Sequence, residues 1–213
     1  MKHKSTLYEI IVFSLIMLFL VIPPFFSPAV TSETVIFSWN NLPVKQFILF
    51  AFALVIYIFY DKYLHTRNHR YFFPSFRALG GLFFITLIIR FIVTRYSINE
   101  ISQPIPRGGQ QWLCCLFTFA FSAAYEEIIY RFYLPGIMIR LFRLKFDSKF
   151  FVFLSEFLAA VLFAFAHLYL GWISVINAFL AHLILRWLYK DTGLIWNGVF
   201  IHVIYNIISL ILL

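Results

Sequence analysis

Apolar residues fall in seven long runs, over 7–26, 47–60, 79–93, 112–139, 151–169, 173–189 and 194–213, divided by short basic or polar breaks. A helix rising 1.5 Å per residue needs roughly 20 mostly apolar residues to cross a hydrocarbon core of about 30 Å. Each run is therefore a candidate transmembrane helix, the second and third being short. The expected fold is all-α, a polytopic transmembrane bundle of about seven helices. Proline removes a backbone donor and crowds the preceding turn, so Pro23 and Pro24 should end or kink the first run. Pro135 should kink the fourth, dividing it into a span and an interfacial helix over 136–146. Lys2 and Lys4 ahead of an apolar stretch also resemble a secretory signal, but the stretch is long and no small-x-small cleavage site follows, so we read it as a retained span. No repeat, heptad pattern or interdomain linker interrupts the sequence. The chain reads as one membrane domain, with N-terminal transmembrane helices over 1–110 and the chemistry-bearing part over 111–213.

Composition agrees with this reading. The 213 residues are 62% hydrophobic, 22% aromatic and 12% charged, against soluble norms of about 45–50% apolar and about 25% charged. A soluble enzyme, a disordered tail and a disulfide scaffold are excluded. The net charge of +8 does not indicate a nucleic-acid partner, because the Lys and Arg residues sit in short clusters between apolar runs and form no basic face. Membrane lipid is the expected surrounding. Excess Lys and Arg mark cytoplasmic loops. With the N-terminus inside, twelve of them (Lys2, Lys4, Lys62, Arg67, Arg70, Arg77, Arg140, Arg143, Lys145, Lys149, Arg186, Lys190) fall on the inner side. Three (Lys45, Arg95, Arg107) fall outside, which predicts a cytoplasmic N-terminus. Cys114 and Cys115 are adjacent in an apolar run and read as small buried hydrophobes.

An ionisable side chain at mid-bilayer costs several kcal/mol, so one that persists there is a functional candidate with a partner to be found. The candidates are Arg90, Glu126, Glu127, Arg131, Glu156, His167, His182 and His202, with Asn177 and Asn206 beside them. Helical spacing puts Glu127 and Arg131 on one face as a charge-assisted pair and turns Glu126 about 100° away. The first glutamate would then lack a local cation and suit general acid–base work, whereas the alternative is a helix-packing network using all three. His167 shares a face with Phe163, and His202 with Asn206. Each histidine alone is more often an interhelical hydrogen-bond residue than a proton shuttle, metal ligand or oxyanion donor. Together with the acids they make a parts list for hydrolysis. For His182, near Asn177, a structural hydrogen bond is expected. Arg90 either pairs with Glu156 or snorkels. His65 and His69 belong to a solvated basic loop. No HExxH, CxxC, Walker or GxSxG pattern occurs.

Glu126-Glu127-x-x-x-Arg131, Phe163-x-x-x-His167 and His202-x-x-x-Asn206, in this order on three predicted helices, resemble the EExxxR, FxxxH and HxxxN motifs of the CPBP intramembrane proteases, also called the Abi or CAAX-protease family. Thr192-Gly193-Leu194-Ile195-Trp196 resembles that family's approach to its third motif. The resemblance covers roughly 112–208. It implies that Glu126 activates a water for attack on a peptide carbonyl while His167 binds or orients that water. His202 and Asn206 would stabilise the oxyanion, with Glu127 and Arg131 holding the first glutamate. It implies a peptide or protein substrate near the membrane, lipidated in some branches, and a compact chain of this kind looks like bacterial plasma-membrane members. Two histidines and a glutamate would also suit zinc with an open position. The scheme of acid, water and oxyanion donor needs no ion and is preferred here.

Two other classes of function fit the residues: a non-catalytic scaffold or immunity protein on the same fold, and a proton-coupled transporter, for which no internal symmetry is visible. The hydrolytic reading requires a water-accessible cavity at Glu126. It also requires His167, about a turn from the outer end of the fifth run, to meet Glu126 and His202 deeper inside. Either 168–185 dips into the protein or the fifth helix has ends other than those of its apolar run; we expect the latter.

Overall fold

The computed structural model describes residues 2–27, 37, 42–64, 72–96, 105–146 and 148–212. His65 and His69 lie outside them. The described chain is helical, with elements α1 (Lys2–Ile16), α2 (Leu42–Leu64), α3 (Phe72–Tyr96), α4 (Gly109–Glu126), α5 (Leu134–Arg143), α6 (Lys149–Phe165), α7 (Trp172–Thr192) and α8 (Ile195–Leu212). A π-helical turn, Met17–Val21, extends α1, and a π-helical stretch, Glu127–Tyr133, joins α4 to α5 without a break. Seven continuous rods result, one for each apolar run. Five described segments are long and apolar enough to cross a bilayer: Thr6–Phe26, Pro43–Asp61, Phe73–Tyr96, Gly109–Arg143 and Trp172–Thr192. The other two rods are shorter than the expected spans. The apolar part of α8 is Ile195–Ile211, and α6 has 17 residues, about 26 Å at 1.5 Å each.

The rod Gly109–Arg143 runs 35 residues through the middle of the bundle. The stretch 136–146, expected at the interface, falls largely in α5, which buries Leu134, Pro135, Ile137 and Met138 and carries Arg140 and Arg143 in its last turn. Every residue from Glu127 to Tyr133 is at most 1% exposed, because α2, α6, α7 and α8 all pack on this stretch. A helix apolar on nearly all sides belongs in such a position. By contrast α1, α2 and α3 present large apolar side chains such as Phe19, Phe59 and Phe91 to the outside, as helices facing lipid do.

Pro135 explains the local geometry. In an α-helix its ring would crowd the carbonyl of Arg131 and offer it no N–H. Ahead of it the helix widens, so that the Leu134 N–H bonds the carbonyl of Ile129, five residues back. The Arg131 carbonyl instead accepts from Arg186 Nη1 on α7. Arg186 is fixed in turn by a two-pronged pair with Glu156 on α6, Nε to Oε2 and Nη2 to Oε1, both at 2.7 Å. The same device recurs at Pro24. The preceding π turn bonds the Ile22 N–H to Met17 O, and the carbonyl of Leu20 accepts from the Tyr125 hydroxyl at 2.7 Å. A second tie, Arg140 to Glu9 at 2.7 and 3.1 Å, fastens α1 to the end of α5.

These contacts settle two open readings. Glu156 belongs to Arg186, which the charge count put on the inner side and which lies within α7, six residues before its end; Lys190 also stands 3.7 Å from it. Arg90 is exposed on α3 and is not Glu156's partner. Removing one member of a buried ion pair costs roughly 3–5 kcal/mol because it strands the other charge. The Arg186 and Glu156 side chains keep 12% and 20% exposure, so Arg186→Met should destabilise by less, about 2 kcal/mol. The double replacement Glu156→Leu with Arg186→Met should cost less than the sum of the singles, measured by thermal unfolding of the detergent-solubilised protein as a double-mutant cycle.

Candidate active site

Glu126 ends α4 and Glu127 opens the π stretch, so the two carboxylates leave one rod at its most buried level. Glu127 and Arg131 have no exposed side-chain surface, and Arg131 Nε lies 3.4 Å from Glu127 Oε1. The same oxygen is 2.8 Å from His202 Nδ1 on α8. An ionised carboxylate only accepts, which makes Nδ1–H the donor and turns Nε2 the other way. Nε2 points at Glu126, 3.7 Å from its Oε2. One imidazole thus spans both acids. Glu126 is further positioned by the Ser122 hydroxyl one turn earlier, which donates to Oε1 at 2.7 Å. Its side chain retains 15% exposure, whereas that of Glu127 has none. The acids are therefore not equivalent: one is sealed against a cation, the other keeps a partly exposed side chain whose Oε2 is buried without a hydrogen-bond partner among the described residues.

Phe163 joins the second motif to the first. The Arg131 guanidinium sits 3.7 Å from its ring centre, a cation–π contact made in a dry environment where such contacts are strongest. Among the described residues the Arg131 N–H groups make no hydrogen bond, so ring and carboxylate together hold the charge. The His167 ring packs 4.6 Å from Phe163, and Nδ1 is 2.9 Å from the Phe163 carbonyl. The carbonyl can only accept, so Nδ1–H donates and Nε2 keeps its lone pair. His167 lies past the last residue of α6, in the turn leading to Leu168–Leu170. The fifth helix thus ends at Phe165, ahead of the apolar run's end, and His167 is carried by the turn that follows it. Glu126 and His202 both fall within its electrostatic range.

Gly193, at φ 69°, ends α7 in the left-handed conformation that favours glycine, and the chain turns back into α8. Asn206 follows His202 by one turn and is half-buried; among the described residues its amide has no hydrogen-bond partner. Asn177 is occupied by the Tyr205 hydroxyl at 2.7 Å. The expected hydrogen bond of His182 is absent: the ring is 1% exposed, neither nitrogen has a partner among the described residues, and it packs 5.6 Å from Phe163. An apolar cleft of about 300 Å³, lined by Phe25, Val161, Leu162, Phe165 and Leu168, opens beside the His167 turn. Among the described residues no three His, Cys, Asp or Glu side chains converge as metal ligands.

Fold and site together define a polytopic helical membrane protein with a buried centre of two carboxylates, a guanidinium and two imidazoles. Residues 108–208, just under half of the chain, match the sequence model of the family described as type II CAAX prenyl endopeptidase Rce1-like, and in this segment the chain is similar to that family. The match runs from the residue before α4 into α8 and includes all three motifs. No curated protein and no solved structure matches the chain.

Sequence reading missed three contributors. Ser122 was legible as i−4 to Glu126. Arg186 carried no local signal. Gly198, i−4 to His202, permits the approach of α8: a Cβ there would stand 2.7 Å from Glu127 Oε2 and 3.4 Å from its Cδ. Gly198→Ala should therefore displace the Glu127 carboxylate and destabilise by about 1–3 kcal/mol, the usual cost of overpacking. Gly80→Ala, with nothing within 4 Å, should be neutral or slightly stabilising, and melting the two variants side by side checks both.

Proposed function

We propose that the protein is an intramembrane endopeptidase that hydrolyses a peptide bond of a membrane-associated or secreted-peptide substrate, with Glu126 as general base. The observation that carries this reading is the inequality of the two glutamates bridged by His202: Glu127 is sealed and paired with Arg131, and Glu126 has a partly exposed side chain and an unpartnered Oε2 with Nε2 of the same imidazole beside it.

Chemically, Glu126 takes a proton from water as the water oxygen bonds to the peptide carbonyl carbon. His167 Nε2, with Nδ1–H committed to the Phe163 carbonyl, accepts from the same water and orients it. The carbonyl oxygen becomes an oxyanion. His202, polarised by Glu127 through Nδ1, presents a protonated Nε2 to it, and the Asn206 amide donates alongside. Preorganised donors in a water-poor site are worth about 2.7–4 kcal/mol each. On collapse the C–N bond breaks and the proton on Glu126 passes to the departing amine. Arg131, held by Phe163 and Glu127, acts as a positioning residue.

The apolar cleft beside His167 is suited to a nonpolar segment of substrate approaching from the lipid. The twelve-to-three distribution of basic residues supports a cytoplasmic N-terminus, and the likeness to compact bacterial members supports a bacterial plasma membrane as its setting. In a test on purified protein with a peptide library read by mass spectrometry, Glu126→Gln should lower cleavage by roughly 10²–10⁴-fold, the range for a general base. His202→Ala should lower it comparably, and both variants should insert and fold. Undiminished cleavage by Glu126→Gln would overturn the assignment, and an unprocessed library with a retained cellular phenotype in that variant would point to a scaffold.

A further inference from the structure

A second polar pocket lies outside the centre just described. Between α6 and α7, on the flank of the bundle, a pocket of about 280 Å³ has Glu156, His182, Arg186 and Lys190 in its wall. Its apolar lining, Phe153, Phe157, Leu183 and Trp187, is 42–66% exposed on the outward face. The polar groups are unequal in what they offer. A guanidinium has five N–H groups; three of those on Arg186 go to Glu156 and to the Arg131 carbonyl, which leaves two. Lys190 Nζ is 3.7 Å from Glu156 with its side chain 57% exposed, so it too has donors to spare. His182 is the buried member, 1% exposed with both ring nitrogens unpartnered among the described residues. Two cations stand against one carboxylate that is already satisfied. The pocket therefore carries a net positive charge and a surplus of donors under an apolar rim.

Its height in the membrane is also informative. Lys190 and Arg186 precede the end of α7 at Thr192 by two and six residues, or about 3 and 9 Å. Antiparallel α6 begins at Lys149 on the same side, with Arg140 and Arg143 in the last turn of α5 next to it. This is the depth at which long basic side chains reach the headgroup layer, and basic clusters at that level attract anionic lipid.

We propose that this pocket is a binding site for an anionic phospholipid. The phosphate is held by the remaining N–H groups of Arg186, by Lys190 and by His182, and the acyl chains lie along Phe153, Phe157, Leu183 and Trp187. A phosphate diester offers several acceptor oxygens to donors arriving from three side chains, which a zwitterionic headgroup offers only with its own cation alongside. Because Arg186 also donates to the Arg131 carbonyl, an occupied pocket fixes the α7 side of the π stretch. The site is independent of whether the chain hydrolyses peptides.

The test uses the full chain purified in detergent. Phosphatidylglycerol and phosphatidylcholine with identical acyl chains are added separately, and inorganic phosphate in a third arm. Retained lipid is counted by native mass spectrometry, and melting temperature is recorded in each arm. Phosphatidylglycerol should bind at least tenfold more tightly than phosphatidylcholine and raise the melting temperature, with inorganic phosphate giving a much smaller rise. His182→Leu with Lys190→Gln should reduce the preference to parity. Lys190→Gln alone, a change at an exposed side chain that leaves the fold intact, should reduce it severalfold, and Lys145→Gln should not alter it. Equal retention of the two lipids by the unaltered chain would overturn the proposal. So would a preference that survives Lys190→Gln undiminished, or an effect of inorganic phosphate as large as that of the lipid.

Discussion

A proline in the middle of a buried helix is the constraint on which this architecture turns. Pro135 cannot supply the N–H that the Arg131 carbonyl would receive in an α-helix, and a naked carbonyl away from water costs as much as a lost hydrogen bond. The helix answers by widening over Glu127–Tyr133, and Arg186 reaches in from α7 to satisfy the carbonyl. The charge this brings is balanced at once by Glu156. Three helices are thereby tied at one level. The π geometry falls on the residues that carry the polar centre, where such bulges are frequently found.

Burying charge in this way is expensive unless each group finds an opposite or polarisable neighbour. Glu127 has Arg131 and His202 within 3.4 Å, and Arg131 has the face of Phe163. Phe163 therefore does two things in the FxxxH motif: it carries the guanidinium on its ring, and its carbonyl holds His167 in one tautomer. The motif's aromatic is not interchangeable with an aliphatic residue of the same volume, since only a π face attracts the cation. Gly198 completes the arrangement, because only the absence of a Cβ lets α8 bring His202 alongside Glu127.

Much of this was legible in the chain. Apolar run lengths located all seven rods, and the i, i+4 spacing paired Glu127 with Arg131. Helix ends were less so. The run 151–169 continues through His167 because Leu168, Tyr169 and Leu170 are as apolar as the helix before them, yet the helix stops at Phe165. Periodicity does not mark such a turn, although Gly171, at φ 97°, marks where the next helix begins. Arg186 was counted only as an inner-side charge since nothing in local sequence links it to Glu156 thirty residues earlier. His182 was given a hydrogen bond it lacks, for Asn177 is engaged by Tyr205. Those are tertiary facts, set by which faces of α6, α7 and α8 meet.

The family match stops at the N-terminal side of α4, yet the matched segment does not bury its own central helix. Ile16, Val21 and Ala53, from the first two rods, belong to the same core cluster as Ile128, Tyr130 and Phe132. Tyr125, next to Glu126, spends its hydroxyl on the Leu20 carbonyl, the group that Pro24 has left without its usual partner. The outer helices are thus fastened to the polar centre by the same physics that shaped it, a proline-freed carbonyl met by a side chain from a neighbouring rod. The low dielectric around Glu127 and Arg131 depends on these walls, and with it the strength of every electrostatic contact inside. Sequence in α1 and α2 is free to vary on its lipid face, where any large apolar residue serves. At Leu20 and Val21 the requirement is one of position, since the carbonyl must meet Tyr125 while the side chain of Val21 fills the core.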